Sequence, residues 1–202
     1  MKIAVIGSTG GNGRLVLAEA VKRGHEVTAF ARQATALLGV SGLSSVVEGD
    51  GRDRSAVDKA VCGQDAVIVS VQGGGESGVA AGIARTVTTT MSSRNTSRLV
   101  ATSAYGMVAT RPYVAAALVR RIFAKAFADQ LAADNIIHAS ALDWTLLRAT
   151  RLTDNPAKGA PRMSTELFTK GPYSLARSLY ATALLDLAEG NAYAAQTVNI
   201  TG

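Results

Sequence analysis

Apolar residues along the chain switch between two kinds of pattern. Short runs are apolar at every position, as at Ile3, Ala4, Val5 and Ile6, which suits a strand buried on both faces of a parallel sheet. Longer stretches carry apolar residues at helical spacing, first at Leu15, Val16, Leu17, Ala18, Ala20 and Val21, ending near Gly24. The spacing predicts strands over 2–6, 26–31, 45–48, 66–70, 98–102, 145–148 and 197–200. It predicts helices over 13–23, 55–62, 79–93, 112–139 (with room for a break) and 173–189. Pro112 suits the first turn of its helix, with Thr110 as a candidate cap. Strand and helix alternate throughout, the signature of βαβ units. The expected fold is α/β, a Rossmann-type doubly wound parallel sheet with helices on both faces, in a single domain over 1–202. Pro156, Pro161 and Pro172, with Gly159 and Gly171, interrupt the alternation late in the chain. That stretch reads as a small loop-rich C-terminal lobe over the substrate side of the cleft, or as an ordinary surface excursion.

The first strand breaks into KIAVIGSTGGNG, with glycines at Gly7, Gly10 and Gly13 before the first helix. The spacing is G-x-x-G-x-x-G, not the commoner G-x-G-x-x-G, but strand, turn and helix come in the order a dinucleotide site needs. Gly7 permits the tight turn, Gly10 leaves room for a pyrophosphate, and Gly13 lets helix and strand pack closely. The helix N-terminus then presents free N–H groups to negative charge. A purely structural glycine turn is the competing explanation.

Composition narrows the setting. Hydrophobic residues are 48% and charged residues 18%, in keeping with a tightly packed α/β protein. No run reaches the ~20 apolar residues of a membrane span, and the start has no signal-peptide pattern, so a cytoplasmic location is expected. The single Cys62 excludes an internal disulfide, and with only His25 and His138 beside it there is no zinc-ligand spacing. Net charge is +6, and Arg94, Arg98, Arg111, Arg120, Arg121 and Lys125 fall in a stretch without any acidic residue. This is a solvated face, or a field that draws an anionic ligand to the cleft. No interleaved aromatics accompany it, so neither nucleic acid nor a membrane is expected as a partner. Oligomeric state is not legible.

Several residues sit where strand ends would meet a cofactor. Arg32 ends the second strand, nineteen positions after Gly13, where folds that prefer NAD place an Asp or Glu on the ribose 2′-hydroxyl. No carboxylate stands there, and a guanidinium can pair with the 2′-phosphate of NADP; a solvent-exposed arginine is the alternative. Asp50, with Gly51 beside it, follows the third strand near the expected adenine, unless Asp50 or Asp53 only caps the next helix. Val71, Gln72 and Gly73 follow the fourth strand, where the sheet order is expected to reverse and ligands bind. Ser103 closes the fifth strand and is positioned to meet a substrate carbonyl or the nicotinamide ribose, or to satisfy backbone groups there. Tyr105 has no lysine four residues on, and no other tyrosine has one, so a Tyr–Lys proton relay is missing. No Ser–His–Asp set emerges.

The blocks IAVIGSTGGNG, EVTAFAR, VEGDGRD, VDKAVCGQDAVIV, LVATSAYG, LDWTLLRA and DNPAKG span nearly the whole chain. Together they resemble the atypical short-chain dehydrogenases/reductases that bind NAD(P), of the NmrA-like kind, and within them the flavin reductase/biliverdin-IXβ reductase group. The resemblance implies pyrophosphate contacts from Gly7, Thr9, Gly10, Asn12 and Gly13 and a 2′-phosphate contact at Arg32. It further implies adenine contacts at Asp50 and Gly51, a cofactor midsection lined by Val71, Gln72 and Gly73, and Ser103 facing nicotinamide and substrate. Two positions depart from the group: Ala149 follows Arg148 where a proline is common, and Arg151 stands where the biliverdin reductase has a histidine. The two departures together speak against a tetrapyrrole substrate, and an arginine at 151 favours an anionic or phosphate-bearing acceptor.

The reading that follows is an NADP(H)-dependent oxidoreductase passing hydride to a small-molecule acceptor, a flavin, quinone or similar planar compound, with Ser103 as the catalytic candidate. Flavin reduction can leave an anionic product, so the missing proton relay is no obstacle. A non-catalytic NADP-binding sensor of the NmrA-like kind is the alternative, and a nucleotide-sugar epimerase or dehydratase is weaker because it recruits the missing pair.

Overall fold

The structure is a computed structural model that describes residues 1–71 and 77–202. Among the described residues ten strands form: β1 (Lys2–Ile6), β2 (Glu26–Ala31), β3 (Ser45–Glu48), β4 (Ala66–Val69), β5 (Arg98–Ala104), β6 (Asp143–Ala149), β7 (Arg151–Thr153), β8 (Arg162–Ser164), β9 (Ser174–Ala176) and β10 (Gln196–Thr201). Six α-helices accompany them in the same described residues: α1 (Gly11–Lys22), α2 (Arg54–Val61), α3 (Val79–Ser93), α4 (Tyr113–Ile122), α5 (Ala124–His138) and α6 (Arg177–Glu189).

The main sheet has eight strands in the order β3-β2-β1-β4-β5-β6-β10-β8. Every pairing is parallel except β10 with β8 at the edge. Side chains of a strand alternate between faces, so Ile3 and Val5 pack with Leu17 of α1 and Leu184 of α6. Ala4 and Ile6 pack on the other face with Val57 of α2, Val87 of α3 and Ile137 of α5. This is why the run is apolar at every position. Ile6 registers with both Phe30 and Val69, and Val69 with Ala101, so the carboxyl ends of these strands share one edge. The order turns around between β1 and β4, opening a crevice at that edge.

Three features differ from the sequence expectation. The helix over 112–139, for which the sequence leaves room for a break, divides at Phe123 into α4 and α5, and the difference is at its start, where Pro112 rather than Thr110 takes the cap position. Residues 174–176, expected in the last helix, form β9 beside β7, because Arg151, Leu152 and Thr153 offer a backbone ladder there and Leu175 is buried against the core. The late proline-rich stretch is not all loop: β8 adds an antiparallel edge through Met163 opposite Ile200. For β8 and β9 a distant partner overrides the local pattern.

Candidate functional site

A cavity of about 400 Å³ lies at the turning point of the strand order, between the end of β1, the start of α1, the ends of β2 and β4, and α3. The glycine turn forms its floor. Gly7 has φ +86°, and a Cβ on it would lie 2.3 Å from the Ser70 carbonyl oxygen. A Cβ on Gly13 would lie 2.2 Å from the Gly7 carbonyl oxygen, so helix and strand approach as only glycine allows. Gly10 differs: its Cβ would meet only the Gly7 oxygen at 3.5 Å, and Gly10 lines the cavity. The protein itself does not require glycine there, while a ligand against that backbone would. Ser8, fully buried, donates from Oγ to the Phe30 carbonyl at 2.7 Å and ties the turn to β2.

The walls carry charge of both signs. Arg32 lines the cavity at the end of β2, exposed, and among the described residues no hydrogen-bond partner holds its guanidinium. Asp50 faces it but is held by Arg52, whose Nη2 donates to Oδ2 at 2.7 Å, Nε to Oδ1 at 3.0 Å and backbone N–H to Oδ1 at 2.8 Å. The side-chain hydrogen bonds from Arg52, then its backbone N–H, with a smaller field from Arg32, hold the Asp50 carboxyl down at about 2. Asp53, not Asp50, caps α2, accepting from the Ser55 N–H at 2.8 Å. Gly51 and Val71 line the cavity with Thr9 and Asn12, and Phe30, Val79 and Ile83 supply apolar wall. Gln72 and Gly73 lie outside the described residues.

Arg177, at the first position of α6, was not foreseen. Its Nη1 donates to Asn12 Oδ1 at 2.8 Å and its Nε to Asp154 Oδ1 at 2.8 Å, so it lines the cavity beside the start of α1. No local motif marks it; only the docking of α6 against α1 brings it there.

Two expected site residues stand elsewhere. Ser103 is only 2% exposed, does not line the cavity, and donates from Oγ to Asp134 Oδ2 at 2.7 Å. Asp134, fully buried in α5, also accepts from Gln130 at 3.0 Å and Arg148 at 3.2 Å. Neighbouring Asp129 accepts from the Ala80 N–H at 2.9 Å and the Ala81 N–H at 3.2 Å, closing the amino end of α3. Arg151 is exposed on β7 and does not line the cavity. The tyrosines nearest this network are buried: burial pushes the hydroxyls of Tyr180 and Tyr105 upward, and Tyr180 donates to the Leu147 carbonyl at 2.7 Å. The histidines have structural partners, Glu189 at 2.7 Å for His25 and Thr197 at 3.0 Å for His138. Nor do the cations of 94–125 act as one field, since Arg94 pairs with Asp58, and Arg98 is buried against the Leu187 carbonyl.

A parallel sheet whose order reverses beside a glycine turn, with a cation at the end of the second strand, defines a dinucleotide-binding protein. A family model described as NAD(P)H-binding matches residues 7–190, and the chain belongs to that family. Its cofactor class is therefore NAD(P)H. Among solved structures it is similar to a wide-type short-chain dehydrogenase/reductase from Veillonella parvula in complex with NADP, 19% identical over 100% of this chain and 94% of that one, with a TM-score of 0.85. ChuY, an anaerobillin reductase from Escherichia coli O157:H7, is 21% identical over 100% of this chain and 97% of that one, with a TM-score of 0.83. The oxidoreductase ylbE from Lactococcus lactis is 19% identical over 100% and 91%, with a TM-score of 0.83. At these identities the likeness is one of fold.

Proposed function

We propose that the protein is an NADPH-dependent reductase that passes hydride to a flavin, quinone or similar planar acceptor. The observation that carries the cofactor choice is Arg32, exposed at the cavity wall with no hydrogen-bond partner among the described residues, on a strand end that bears no carboxylate. The fit to a dinucleotide rests on the cradle that Cβ atoms would fill at Gly7 and Gly13 and on the open face of Gly10. In this reading the first-turn N–H groups of α1, Thr9 and Asn12 hold the diphosphate, and Arg32 takes the 2′-phosphate. Gly51, Phe30 and Ile83 flank the adenine, with Asp50 positioned by Arg52, and Val71 borders the middle of the cofactor. The reduced nicotinamide supplies the hydride.

The chain's own residues orient, exclude water and set charge, and no step asks a protein side chain for a proton, in keeping with the missing Tyr–Lys pair. Ser103, tied to Asp134, acts as a positioning residue at the end of β5. Arg151 is the exposed cation available to an anionic acceptor. The NADP complex of the Veillonella parvula relative and the reductase activity named for ChuY support the assignment by analogy of fold.

Calorimetry with NADPH and NADH tests the cofactor choice. Arg32→Asp is expected to weaken NADPH by about 2 kcal/mol, roughly 30-fold, and to leave NADH nearly unchanged. Equal NADPH affinity in parent and variant removes the assignment. NADPH oxidation followed with FMN, quinones and a dye then tests turnover; tight NADPH binding without acceptor-dependent oxidation selects a sensor instead.

A further inference from the structure

Helix α4 carries its hydrophobic side chains on the wrong side for a core. Val114 is 84% exposed, Leu118 56% and Ile122 63%, and their spacing of four residues sets them in one stripe along the helix. On the opposite side Ala116 is the buried residue of the helix. Tyr113 and Phe123 extend the apolar ridge at its two ends, both at least half exposed. Six of the twelve large hydrophobic residues exposed in the described structure fall between Tyr113 and Phe123. Such a concentration marks an interaction surface, since scattered exposed hydrophobics need no explanation and a contiguous ridge does.

The charge around the ridge selects the occupant. Arg121 and Lys125 flank it, the Arg111 guanidinium lies 4.9 Å from the Tyr113 ring centroid, and no acidic residue occurs anywhere from 77 to 128. A second copy docked through this ridge about a two-fold axis would bring the Arg121 and Lys125 cations of both copies into one interface, with no carboxylate of this segment to offset them. The ridge is also convex, the outer face of a helix, so it offers no groove to a peptide.

We propose that α4 seats the protein on an anionic lipid surface. A ten-residue helix is about 15 Å long, enough to lie in the headgroup plane with Val114, Leu118 and Ile122 toward the acyl chains. Arg121 and Lys125 reach back along their stems to lipid phosphates. This is peripheral attachment; no helix among the described residues is long and apolar enough to cross a membrane. The ridge comes after the carboxyl end of β5, past the Tyr105–Met107 turn against which α4 packs, and the carboxyl ends of the neighbouring strands β1, β2 and β4 border the cavity. Attachment there would bring the cavity edge near an acceptor dissolved in lipid, a consequence that rests on the reductase reading, whereas the lipid contact itself does not.

Flotation of the full chain with vesicles of phosphatidylcholine alone, or of phosphatidylcholine with phosphatidylglycerol, tests it. Binding is expected only to the anionic vesicles, weakening as salt rises. Leu118→Glu/Ile122→Glu should lower it at least tenfold, and Arg121→Gln/Lys125→Gln severalfold. Both variants should keep parental NADPH affinity, which shows that the fold is intact. Absence of binding to anionic vesicles overturns the proposal, as does parental binding by the double glutamate variant. A concentration-dependent dimer that this variant abolishes, with no vesicle affinity in the parent, overturns it in favour of a second copy.

Discussion

The glycines of the first turn divide by what crowds them. At Gly13 a methyl group would collide with the Gly7 carbonyl oxygen at 2.2 Å, a backbone atom that cannot step aside, whereas at Gly10 it would meet ordinary contact at 3.5 Å. Gly13→Ala should therefore destabilise the fold by about 1–3 kcal/mol in urea unfolding. Gly10→Ala should unfold at the parental midpoint yet lose at least tenfold in NADPH affinity. A Gly10→Ala protein that binds NADPH normally would remove the diphosphate from that backbone. Arg177 behaves differently from Arg32. Placed beside α1 through Asn12, it faces the part common to both coenzymes, so Arg177→Ala should weaken NADPH and NADH by similar factors of about tenfold. An effect confined to NADPH would place it at the 2′-phosphate instead. The motif glycines and Arg32 are legible in sequence because their role follows from position after a strand; Arg177 is not, lying 165 residues from its partner.

Among the elements, β5 and α5 are joined by polar groups rather than by apolar packing alone. Ser103, Gln130 and Arg148 converge on the fully buried Asp134. A buried carboxylate that loses one donor keeps its desolvation cost, so Ser103→Ala should lower stability by about 1–3 kcal/mol. A turnover loss without that destabilisation, measured by thermal melting and NADPH oxidation, would show instead that Ser103 meets the acceptor directly. Apolar runs such as 3–6 and 66–69 announce their strands, because burial on both faces leaves no polar position. The break at Phe123 is less visible: the spacing stays helical across it, and only the packing of α5 on α3 and of α4 on the Tyr105–Met107 turn separates the two axes. Strand β9 escapes for a similar reason, since its ladder partner β7 lies more than twenty residues away.

Across the whole molecule, the first and last helices are latched by charge. Arg23 Nη1 donates to Asp186 at 2.8 Å and to Glu189 at 2.9 Å, and His25 meets Glu189 at 2.7 Å. Burial pushes the Glu189 carboxyl upward, but hydrogen bonds from His25 and Arg23 outweigh it and hold the group below its ordinary 4.5. A depressed carboxyl stabilises the fold above its unfolded value and loses that contribution as pH falls through the folded value. The melting temperature of the parent should therefore drop more steeply below about pH 4.5 than that of Glu189→Gln; parallel curves would show that the latch contributes nothing. The layered sheet, the glycine turn and the cation after β2 could be read from the chain because each depends on local periodicity or on backbone sterics within a few residues. The bridge from Asn12 through Arg177 to Asp154, the withdrawal of Ser103 into the Asp134 network and the outward ridge of α4 were decided only by the tertiary structure. Their partners meet through docking of helices and strands far apart in sequence, and no local pattern records which faces will touch.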